Sequence, residues 1–217
     1  MSLISKIITP QAKRKIRKLL SFRFKSKLKK EFTIISNNCW GGIVYDRLGK
    51  QYTSPTIGLL FQPDDYISFL ENLKHYLKIE PLLDAQQQRK DSKHLGLFHA
   101  YIGDLSFFFI HYSSGLEGIE KCNRRKKLIC WDNIVVKFSD PIMDNEEKKN
   151  ELIDRFSRLP FKKLFFTANP ILASKYKDIS VFLKTKKYVD GFDCNGEELK
   201  IVKKQYKLRH LIELINK

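Results

Sequence analysis

The stretch FTIISNNCWGG, residues 32–42, decides the fold. Four β-prone residues run directly into two amides, a thiol, an indole and two glycines. A buried strand that ends on small polar groups is the pattern of a parallel α/β sheet, where ligand loops follow the carboxyl ends of strands. GGIVYDRLG (41–49) then reads as a short helix or turn closed by Gly49.

Working outward, strand and helix patterns alternate. TIGLLF (56–61) reads as a strand. DDYISFLENLKHYLK (64–78) reads as a helix with Asp64 at its N-cap and Tyr66, Phe69, Leu70, Leu73 and Leu77 along one stripe. DAQQQRKDSKH (84–94) is a polar loop. LGLFHAYIGDLSFFFIHY (95–112) has two β-rich halves around Gly103-Asp104, a hairpin or bent strand. Helices are predicted over 113–128, 144–159 and 203–215, and strands over 128–138 and 162–169. The expected class is α/β: a single domain with a largely parallel or mixed sheet flanked by helices, plus a basic N-terminal amphipathic helix. The divisions are 1–30 for the basic segment and 31–217 for the α/β domain.

Charge supports that division. The 217 residues carry a formal +17, but residues 1–30 hold eleven Lys/Arg and no acid, which leaves only +6 for the rest. Ile16, Leu19 and Leu20 recur at helical spacing among these bases. A basic amphipathic segment suits an anionic membrane surface. No RNP, zinc-finger or helix-turn-helix pattern points to a specific nucleic acid. The start lacks a secretory h-region, and no apolar run is long enough to span a bilayer. A cytoplasmic protein, peripheral on the inner face of the plasma membrane, is therefore expected. The four cysteines form no C-x-x-C pair, the histidines show no metal spacing, and no metal is predicted.

Three clusters could carry chemistry. In the first, Asn37 and Asn38 could bind sugar hydroxyls or an oxyanion, Gly41 and Gly42 permit close backbone approach, Trp40 could line a ligand, and Cys39 is either a nucleophile or a small core residue. In the second, His111 and Tyr112 end an apolar strand, where an imidazole can act as general base. Glu117 either assists or completes an S-x-x-E capping box with Ser114, and Arg124 and Arg125 could clamp a phosphate. In the third, Asp132 and Asn133 at a strand start either organise a turn or bind substrate.

FTIISNNCWGG, SPTIGLLFQPDDYISFLENLKHYL, IGDLSFFFIHY and EKCNRRKKLICWDNIVVKF, in that order, resemble the DUF1919 family, bacterial proteins associated with exopolysaccharide biosynthesis. The resemblance spans about residues 32 to 167. Cys122 stands where the family usually has Trp in a K-W-x-R-R pattern, which suggests a packing position. The resemblance implies an α/β fold and a place in making or decorating a surface polysaccharide, but no established mechanism. The strand followed by an Asn-Cys loop also looks loosely like SGNH-type polysaccharide acyltransferases, without their G-D-S and D-x-x-H motifs.

The expected activity is a glycan-modifying transferase, an O-acyltransferase first, with acyl-CoA as donor and a lipid-linked or polymeric glycan as acceptor. The alternatives are a nucleotide-sugar glycosyltransferase, for which D-G-F-D (190–193) has the wrong spacing to be a D-x-D metal motif, and a non-catalytic membrane-peripheral assembly factor.

Overall fold

The computed structural model describes residues 24, 26–89, 96–192 and 197–217. The basic amphipathic helix expected within 1–30 falls mostly outside them.

The chain alternates β1 (Thr33–Ser36), α1 (Trp40–Leu48), β2 (Leu59–Phe61), α2 (Pro63–Glu71), α3 (Leu73–Tyr76), β3 (Leu82–Arg89), β4 (Gly96–Ile102) and β5 (Leu105–Tyr112). It continues with α4 (Gly115–Lys126), β6 (Ile134–Ser139), α5 (Glu146–Arg158), β7 (Lys162–Thr167), α6 (Pro170–Lys175), β8 (Ser180–Phe182), α7 (Glu197–Gln205) and α8 (Leu208–Asn216). The α/β class holds, with the strands divided between two sheets. One is parallel, in the order β1-β6-β7-β8; the other is antiparallel, in the order β2-β5-β4-β3.

The parallel sheet is covered on both faces, so its strands read as continuous apolar runs. Successive residues enter different cores. Ile35, Val136, Phe138 and Phe165 pack with α2, α5, α6 and the inner face of the antiparallel sheet. Ile34, Val135, Leu164 and Phe166 pack with α1, α7 and α8. Tyr66 of α2, fully buried, ties the sheet together by donating its hydroxyl to the carbonyls of Ile35 at 3.0 Å and Lys137 at 2.8 Å.

Several boundaries differ from the sequence reading for physical reasons. Residues 56–58 form a turn, with Gly58 at φ +75°, so β2 begins only at Leu59. The helix expected over 64–78 is broken at Asn72, whose φ of −120° leaves the helical region, and Gln62 rather than Asp64 occupies the N-cap. The polar 84–89 segment is strand, not loop: β3 lies at the sheet edge, where polar residues are tolerated. The hairpin at Gly103 is as read, with φ +63° there. The C-terminal helix predicted over 203–215 is two, α7 and α8.

The structured part starts before residue 31. Phe24 and Leu28 pack against the α1/α7/α8 core, and Asn216 exchanges hydrogen bonds with the backbone of Lys27 and Lys29, both at 2.9 Å. Among the described residues no helix is long and apolar enough to cross a membrane.

Candidate functional site

Parallel pairing of β1 with β6 sets Ser36 beside Lys137, so the loop after Ser36 and the groups around Lys137 share the carboxyl edge of the sheet. The loop Asn37–Cys39 is folded by its own polar groups. Ser36 Oγ donates to the Asn38 carbonyl at 2.6 Å and accepts from Gly41 N–H at 3.2 Å, and Asn38 Oδ1 accepts from Trp40 N–H at 3.1 Å. These bonds turn the chain into α1 with Cys39 at the N-cap position. Gly41 packs closely, since a Cβ would sit 3.0 Å from Ser36 Oγ and 3.4 Å from Ile34 Cγ2.

β5 delivers the second component. His111 stands at φ +67°, the one positive φ outside glycine among the described residues. That conformation costs an L-residue about 1–2 kcal/mol. It carries His111 Nε2 to 3.2 Å from Cys39 Sγ, across 72 residues of sequence. Strain of this kind concentrates where a side chain must be aimed. The two predicted catalytic side chains therefore meet. Burial raises the thiol's pKa and the charge of Lys137 works against it.

Beneath this pair is a buried polar network. Lys137 is 0% exposed, yet its ammonium reaches Asn37 Oδ1 at 3.4 Å, Asn38 Oδ1 at 3.2 Å, Ser139 Oγ, and Glu198 Oε1 of α7 at 2.7 Å. Glu198 Oε2 accepts from Ser139 at 2.6 Å and from Asn38 Nδ2 at 3.0 Å. On the other face of β6, Asp140 pairs with Lys149 at 3.2 Å and accepts from Thr167 at 2.6 Å. Burial raises the Asp140 carboxyl, and the Thr167 hydrogen bond and Lys149 oppose it. Sequence reasoning passed over Lys137, Ser139 and Glu198. A lysine inside the otherwise apolar IVVKFS was the visible signal.

The other predicted residues divide. Asn37 lies in the loop, half-buried, with its Oδ1 accepting from Lys137 and its carbonyl from Phe61 N–H. Asn38 and Gly41 are committed internally and cannot also hold an oxyanion. Trp40 is a core residue, 3% exposed, edge-on to Phe166 at 5.2 Å.

Tyr112 is buried, with its hydroxyl on the Ile57 carbonyl, and Arg125, also buried, donates to that hydroxyl at 2.9 Å and lies over the Tyr52 ring. Arg125 thus braces β5 against the 52–57 turn instead of facing a ligand. Arg124 is exposed.

Glu117 is held by the helix start. Ser114 Oγ accepts from its N–H at 3.1 Å, while its carboxylate accepts from Ser113 N–H at 2.8 Å and from the ammonium of Lys121. These donors hold its pKa down to about 2, so it is an anion at neutral pH and supplies no proton.

Asp132 and Asn133 precede β6 at the opposite end of the sheet. Asn133 is a structural clasp, donating to the carbonyls of Glu31 at 2.8 Å and Ile215 at 3.0 Å. Cys122 is a buried packing residue, its thiol pushed up to about 11 by burial. Cys194 lies outside the described residues. Among the described residues no group of three His, Cys, Asp or Glu could hold a metal ion.

Two clefts lie away from this cluster. One, small and apolar, runs between α1 and α7 past Ile43, Leu199 and Tyr206; the other opens along edge strand β8. Neither sets a nucleophile beside a base.

Comparison with known proteins agrees on the family. Residues 11–213 match the family described as "Domain of unknown function (DUF1919)", which reaches further in both directions than the 32–167 resemblance and into the basic segment. A Haemophilus influenzae protein described as "Uncharacterized protein" is 31% identical over 166 residues, 76% of this chain and 71% of that one. The chain belongs to the DUF1919 family.

Proposed function

We propose that this protein is a transferase of bacterial exopolysaccharide or capsule biosynthesis that moves an acyl group from acyl-CoA to a glycan hydroxyl through Cys39. The observation that carries the reading is the 3.2 Å contact between Cys39 Sγ, just past the carboxyl end of a parallel strand, and Nε2 of the strained His111 at the end of β5. His111 takes the Cys39 proton as sulfur attacks the thioester carbonyl. The CoA thiolate leaves and takes up that proton, and the acyl group stays on Cys39 as a new thioester. The glycan hydroxyl then attacks this thioester. His111 takes the hydroxyl proton, and the Cys39 thiolate leaves and is reprotonated. Asn37 Nδ2 and the Gly42 N–H are the proposed donors to each tetrahedral oxyanion.

The basic residues of 1–30 would hold the enzyme on the inner leaflet, beside lipid-linked acceptors. The test incubates the full chain with radiolabelled acetyl-CoA and lipid-linked glycan extracted from the bacterium's own membranes. Label in the glycan fraction is expected. Its absence, with protein shown folded by circular dichroism, overturns the reading.

A further inference from the structure

We propose that Lys137 is the positioning residue of the Cys39–His111 pair: it locks the loop that carries the thiol and supplies the positive field in which the thiolate forms, while Glu198 sets the strength of that field. This rests on the reading that Cys39 is a nucleophile, and it reaches beyond that reading to residues outside the pair.

The charge lies where packing alone does not need one. Replacing a buried ion pair by apolar side chains of similar volume is often neutral or stabilising, so packing alone does not call for a lysine here. Yet Lys137 and Glu198 are 0% and 2% exposed at their side chains and 2.7 Å apart. The ammonium is aimed at the loop. Besides Glu198 and Ser139, it contacts Asn37 Oδ1 and Asn38 Oδ1, which belong to the two residues that immediately precede Cys39.

His111 from the end of β5 touches the thiol, and Lys137 from β6, paired with Glu198 from α7, binds the two residues before it. Asp140 and Lys149 pair on the other face of the sheet. Lys137 opposes the effect of burial on the Cys39 thiol. Glu198 neutralises Lys137 while holding Asn38 and Ser139. Thiolate formation therefore depends on an uneven balance between one buried cation and one buried anion.

The two residues must then act on Cys39 with opposite signs. The full-length chain is alkylated with iodoacetamide across a pH series, and the Cys39 peptide is quantified by mass spectrometry, separately from Cys122, Cys130 and Cys194. Glu198→Gln removes the countercharge and keeps groups that can bond Asn38 and Ser139. It is expected to lower the alkylation midpoint by about one pH unit and raise the rate at neutral pH about three- to fourfold, the thiolate gain being partly offset by weaker nucleophilicity. Lys137→Met is expected to raise the midpoint and slow the rate by a similar factor. Lys137→Arg, which keeps the charge, is expected to stay near wild type.

A purely structural role loosens the loop in both Glu198→Gln and Lys137→Met, so both midpoints move the same way; that result overturns the proposal. If Lys137→Met does not fold, Glu198→Gln decides alone: an unchanged or raised midpoint overturns it. These shifts are independent of acyl transfer, so a missing transfer activity with opposite shifts intact would retire the acyltransferase reading and leave Lys137 in its role.

Discussion

Removing one partner of the Lys137–Glu198 pair should destabilise the protein more than removing both. Lys137→Met leaves a carboxylate 2% exposed, still bonded by Ser139 and Asn38 but without its cation 2.7 Å away. Breaking a buried pair from one side costs about 3–5 kcal/mol; the surviving hydrogen bonds place this case near about 3. Glu198→Leu strands the ammonium among Asn37, Asn38 and Ser139 and should cost a similar amount. The double variant removes both charges and leaves the Asn37 and Asn38 amides and the Ser139 hydroxyl short of partners, about 1–3 kcal/mol. The coupling between the sites, the two single costs less that of the double variant, is thus expected to be about 3–5 kcal/mol. Urea unfolding at neutral pH, followed by circular dichroism for all four proteins, reads it directly, provided the slope with denaturant is unchanged. Additivity within about 0.5 kcal/mol would refute the claim that the two charges depend on each other in the folded state.

Other substitutions separate packing from chemistry. His111→Gly relieves the φ of +67° and should stabilise the fold by about 1 kcal/mol while abolishing acyl transfer; a lower melting temperature would contradict the strain. Gly118→Ala places a Cβ 2.6 Å from the Phe109 ring and should cost about 1–3 kcal/mol in the same unfolding assay. Glu117 has its pKa depressed to about 2, so its contribution is present above the ordinary carboxylate value of 4.5 and is lost as pH falls toward 2. The stability gap between wild type and Glu117→Gln should therefore narrow as pH drops through that window, and a constant gap would contradict the assignment.

Much of this arrangement was legible because the sheet is covered on both faces. TIIS, IVVKFS and KKLFFT are apolar runs too short for helices, and the polar end of the first marked the edge that carries Cys39. The same rule places Cys39 and His111 at strand ends from sequence alone. Of the second sheet only the β4–β5 hairpin was legible, since the pairing of β2 with β5 is chosen by contacts distant in sequence and β3 is too polar to read as a strand because it lies at an edge. Trp40, Tyr112 and Arg125 have the chemistry of ligand-binding residues, but their polar groups or rings are used internally. Glu198 reaches the site from a helix 160 residues beyond Asn38, and no local pattern connects them. Lys137 was legible in principle, as a charge in a buried strand.

Whether Cys39 takes up an acyl group with His111 as its base can be read from the mass of the Cys39 peptide. The chain is exposed briefly to acetyl-CoA and quenched in acid, and wild type is compared with His111→Ala. An acetyl increment on Cys39 is expected in wild type and should be strongly reduced in the variant. Labelled glycan formed with no adduct on Cys39, or equal adducts in both proteins, would contradict the proposed chemistry.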